Sequence, residues 1–93
     1  MNDNERPVTL ITGRVYRSKG GRAEGLHVLL VAPDDDSAVR RALDALTTEG
    51  YAEAQLDQIG ELQGAPDEEP HLSAWQGAIE GEVSIITFDE PDP

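Results

Sequence analysis

The chain has two histidines, His27 and His71, and no cysteine, so the side chains most used for metal binding and nucleophilic catalysis are scarce. The two imidazoles are far apart in sequence, and no His-x-x-His or similar spacing occurs. A metal site built from both would need the tertiary fold to bring them together with a carboxylate. His27 lies in an apolar run and reads as a hydrogen-bonded or edge imidazole, while His71 follows Glu68-Glu69-Pro70 and opens a helix.

The triplet Asp34-Asp35-Asp36 invites a calcium reading. An EF-hand loop needs alternating ligands, a glycine at its sixth position and a glutamate at its twelfth. Counted from Asp34, those positions are Val39 and Ala45. Helix capping explains the triplet better. Gly20-Gly21 beside Arg17, Lys19 and Arg22 resembles a phosphate loop only in composition, since the G-x-x-x-x-G-K-[ST] spacing is missing. Ser18, Ser37, Ser73 and Ser84 lack the G-x-S-x-G setting of an activated serine. Carboxylates are so abundant that a pair of them carries no information. The chain is therefore expected not to be an enzyme, and no catalytic residue, cofactor or metal is expected.

The charge distribution is the stronger signal. All seven Lys and Arg lie among residues 1–41, whose six acidic groups leave that part near neutral. Residues 42–93 hold the other thirteen Asp and Glu with no Lys or Arg, so the net charge of −12 belongs to that part. An acidic proteome would account for the total but not for the asymmetry. Glu53, Asp57, Glu61, Asp67, Glu68, Glu69, Glu80 and Glu82 are the candidate partner-binding residues, expected to form one acidic surface. Such a field opposes direct contact with nucleic acid, whose affinity rests on Lys and Arg meeting phosphate. It favours a basic protein partner instead.

These groups must be positioned by a small α+β domain. With 93 residues and 38% apolar composition, one modest core is the expectation, with residues 1–93 as a single domain, an ordered core over about 7–88, and polar tails at 1–6 and 89–93. The alternation in Val8–Tyr16 predicts a strand, and the glycine-containing stretch 17–25 a turn or loop. The apolar run Leu26–Ala32 predicts a second strand covered on both faces. Pro33 ends it, and Asp34–Ser37 offer N-caps to a helix that stops at Gly50, where a left-handed C′ residue is expected. On that helix Val39, Leu43 and Leu46 are the expected core positions.

Tyr51–Leu56 alternates as a third strand, but Leu56, Ile59 and Leu62 then recur every three residues. A bulge or short helical turn would bring all three to the core, with a helix over 53–62 as the alternative. Leu72, Trp75 and Ile79 predict a second helix, with Trp75 as a core anchor, and Val83–Phe88 a last strand. The expected order is β-β-α-β-α-β, with two helices on one face of a four-stranded, largely antiparallel sheet, ferredoxin-like in general character.

The longest apolar run is far below the length needed to cross a bilayer, so no membrane partner is expected, and with no signal-peptide pattern a cytoplasmic location is. The leading functional expectation is a non-catalytic protein-interaction or regulatory module, which a sheet edge could make a homodimer. The alternatives are an acidic inhibitor of a basic partner, such as a toxin-immunity protein or nucleic-acid mimic, and a small-ligand sensor with its site at a dimer interface.

Overall fold

A computed structural model describes residues 7–89. The expected tails fall outside it, except Asp89, which closes the last strand. The elements run β1 (Thr9–Tyr16), β2 (Ala23–Leu30), α1 (Asp35–Thr48), β3 (Glu53–Glu61), α2 (His71–Ile79) and β4 (Ser84–Asp89). The four strands form one antiparallel-paired sheet in the order β3-β1-β2-β4, so the α+β class and element order are as expected.

The placement of the helices differs from the expectation of one covered face. In β2, Val28, Leu29 and Leu30 are all fully buried, and three consecutive strand residues can be buried only when both faces are covered. Leu26, Val28 and Leu30 join Ile11 and Val15 against Ala38, Ala42 and Leu46 of α1. Leu29 joins Val8 on the other face against Ala74 and Ala78 of α2. One helix therefore lies on each face, with β2 common to both interiors.

Both helices turn alanines toward the sheet. On α1 the buried line is Ala38, Ala42 and Leu46, while Val39 packs at its margin and Leu43 is 40% exposed. On α2 the buried residues are Ala74 and Ala78; Trp75 is half-buried and Ile79 is 51% exposed. Small side chains let the helix axis approach the sheet closely, which leaves the larger ones at the flanks. Leu43 and Ile79 are thus corrected from core to surface.

β2 starts three residues earlier than its apolar run and ends two earlier. Pairing to β1 continues through Gly13↔Leu26, Arg14↔Gly25, Val15↔Glu24 and Tyr16↔Ala23, which draws Ala23, Glu24 and Gly25 into the strand. Arg17 fastens this end, donating to Glu24 at 2.9 Å and lying 5.0 Å from the Tyr51 ring centroid. Residues 53–61 form a strand, not a helix. The register slips between Thr12 and Gly13, which face Gln58 and Leu56, so Asp57 is the bulged residue. The bulge restores the phase, so Leu56 and Ile59 both turn to the α1 face, but only Leu56 packs on that interior. Ile59 is 38% exposed and is corrected from core to surface, and Leu62 packs on the α2 side.

The helix ends follow capping chemistry. Asp34 Oδ1 accepts from the Ser37 amide at 2.8 Å, and that bond holds the Asp34 carboxyl below its usual range. Gly50 has φ = 96°, the left-handed conformation expected after α1. No helix among the described residues is long and apolar enough to cross a membrane.

Candidate functional site

His27 and His71, which local spacing gave no reason to connect, are in contact. His27 sits mid-way along β2 on the α2 face, and His71 is the first residue of α2. His27 Nδ1 and His71 Nε2 are 2.8 Å apart, across 44 residues of chain. The rings stand edge to face at 5.0 Å, and Phe88 of β4 meets His27 in the same way, also at 5.0 Å. Gly25 makes room for this group, because a Cβ there would collide with the Phe88 ring. The aromatic trio thus joins β2, α2 and β4.

The contact constrains protonation. A hydrogen bond between two imidazoles needs one N–H and one lone pair, so it exists when both rings are neutral or one is charged, and is lost when both are. Burial, and then the charge of His71, lower the His27 pKa from its ordinary value. The two nitrogens satisfy each other instead of converging on a third point. Among the described residues no group of three or more His, Cys, Asp or Glu is arranged to hold a metal ion.

All eight acidic candidates are exposed. Glu53, Asp57 and Glu61 lie on β3, one edge of the sheet; Asp67, Glu68 and Glu69 precede α2; Glu80 and Glu82 lie between α2 and β4, the other edge. Glu53 and Glu61 stand at opposite ends of β3, about 26 Å apart at the strand's rise per residue. Glu61 is brought beside Asp34, Asp35 and Asp36, with which it lines a concavity of about 460 Å³. The acids of the capping loop thus add to the acidic set, a link that sequence order conceals.

Two features modify that set. Glu69 is engaged by its helix: Oε1 accepts from the Ser73 amide at 3.0 Å and Oε2 from the Ser73 hydroxyl at 2.8 Å. Arg41 of α1 reaches across, donating to the Val31 carbonyl at 2.7 Å and to the Gly81 carbonyl at 3.4 Å. A cation from the first part of the chain therefore reaches the segment between α2 and β4 that carries Glu80 and Glu82. On the α2 face a second hollow of about 420 Å³ is walled by Val8, Leu62, Trp75 and Ile79, with Glu61 at its rim. Trp75 serves both the interior and this hollow.

Comparison of the chain with protein-family models, with curated proteins and with solved structures finds no match.

Proposed function

We propose that the protein is a small, non-catalytic interaction module that receives a basic region of another protein. The observation that supports this most is that all eight acidic candidates are exposed in a part of the chain with no Lys or Arg of its own. Exposed like charges repel over a Debye length of about 8 Å at physiological ionic strength, and a cationic partner relieves that repulsion. The same field speeds encounter and fixes orientation. The inhibitor reading is the special case in which the basic partner is a toxin or nuclease.

Affinity capture with the immobilised full chain, at low and at moderate salt, tests the proposal. Beside it runs a variant carrying Asp57→Asn, Glu61→Gln, Glu80→Gln and Glu82→Gln, which neutralises acids beside both edges of the sheet, checked for native folding by circular dichroism. A discrete basic protein, held by the wild type, released by salt and lost by the variant, is the expected result. Equal retention by the variant, or capture of proteins with no basic character, overturns it. A gain in thermal stability with one metabolite class, and no protein captured, would favour a ligand sensor.

A further inference from the structure

The two edges of the sheet are built differently. β3 carries exposed Glu53, Asp57 and Glu61, and it is bulged at Asp57. Charged side chains and bulges are the ordinary means by which an edge strand is kept from pairing with another chain. β4 has no bulge and carries charge only at Asp89, its last residue. From Ser84 to Phe88 it reads Ser-Ile-Ile-Thr-Phe, uncharged and rich in β-branched and aromatic residues, and its register against β2 is unbroken. Among the described residues its backbone bonds to β2 alone.

Charge marks both ends of this open edge. Glu80 and Glu82, two acids against the one Arg41 guanidinium that reaches Gly81, precede β4, and Asp89 closes it. Phe88, 43% exposed, lays its ring over Gly25 of β2 on the α2 face. We propose that β4 is a docking edge on which an extended segment of a partner adds as a fifth strand, with Lys or Arg flanking an uncharged, β-prone middle. The inference rests on the reading of the protein as a receptor for a basic partner, and names where and how that partner binds. Main-chain hydrogen bonds supply the affinity in such strand addition, and flanking groups set the register. Six strand residues cover about 20 Å, so the two basic ends of the segment stand about that far apart.

A second copy of the chain fits the edge less well. Paired antiparallel, it sets Glu82 of one copy near Asp89 of the other; paired parallel, it sets each acid near its own equivalent. Like charges directly opposite are destabilising in either arrangement.

The test uses the full chain, amide-resolved NMR and two synthetic peptides. The first is Lys-Arg-Thr-Val-Thr-Val-Thr-Arg-Lys, and the second is the same sequence N-methylated at its five central amides. The methylated peptide keeps the charge and side chains but cannot pair as a strand. The expected result is a salt-sensitive titration with the first peptide, shifts centred on Ser84–Asp89, and affinity lower by about tenfold or more on methylation. Equal affinity for both peptides overturns strand addition and leaves the charge-based function standing. Shifts centred on β3, or no binding of the first peptide at low salt, overturn the docking edge; the capture experiment decides the broader reading separately. Concentration-dependent shifts at Ser84–Asp89 in the protein alone would assign the edge to self-association and overturn the proposal.

Discussion

His27 Nδ1 and His71 Nε2 meet at 2.8 Å, so β2 and α2 are tied by a bond whose existence depends on protonation. Burial, then the charge of His71, hold the His27 imidazole below its usual value. The unfolded chain, with an ordinary imidazole near pKa ~6.5, therefore takes up this proton first as pH falls. The contribution is present in full above about pH 6.5 and declines below it until the folded value is passed. Wild-type stability should fall relative to His27→Gln as pH drops below about 6.5, before most carboxylates titrate. Urea unfolding of both proteins measures this, and a pH-independent difference would contradict it.

On α1, Leu46 is 2% exposed and Leu43 40%. Leu46→Ala should cost about 2–5 kcal/mol, as for a leucine removed from a packed core, and Leu43→Ala under about 1 kcal/mol. Equal losses in chemical denaturation would mean that α1 is rotated about its axis from the orientation described.

Gly50 has a positive φ, and nothing lies within 4 Å of the place a Cβ would occupy. Gly50→Ala should therefore destabilise through the backbone alone, by about 1 kcal/mol or slightly more. A thermal midpoint equal to that of the wild type would rule out the left-handed cap.

Glu69 and its neighbours separate capping from surface charge. Glu69→Ala removes the acceptor of the Ser73 amide and should cost about 0.5–2 kcal/mol. Asp67→Asn and Glu68→Gln, with no such bond, should leave stability unchanged or raise it slightly by lowering repulsion. Hydrogen exchange at the start of α2 would show the difference directly.

Where a single residue type dictates local geometry, the sequence was informative. Asp34 and Gly50 bound α1 because a capping carboxylate and a residue without Cβ are each suited to one backbone task. The three-residue spacing of Leu56 and Ile59 required a break in strand phase, and the bulge at Asp57 supplies it. What stayed hidden depends on partners distant in the chain. Ala23–Gly25 looks like loop until β1 and β4 pair with it. Alanine lines face the sheet because of how near the helices approach, and periodicity weighted by size selects leucines instead. Burial on both sides of β2 is legible in Leu26–Leu30, and its consequence is that the helices must be shared between the faces. The histidine contact follows only from that sharing, since α2 must cover the side of β2 that presents His27.

Because β2 is the wall common to two thin interiors, neither can be stripped without exposing a row of its side chains to water. Its amides should accordingly exchange with solvent only when the entire molecule opens, and mark the slowest-exchanging stretch of the backbone. α2, nine residues long and seated through two alanines, the half-buried Trp75 and the His71–His27 contact, covers the smaller of the two interiors and should lift first. The molecule then has a graded opening order, in which one surface peels while the strand beneath it stays locked by the other.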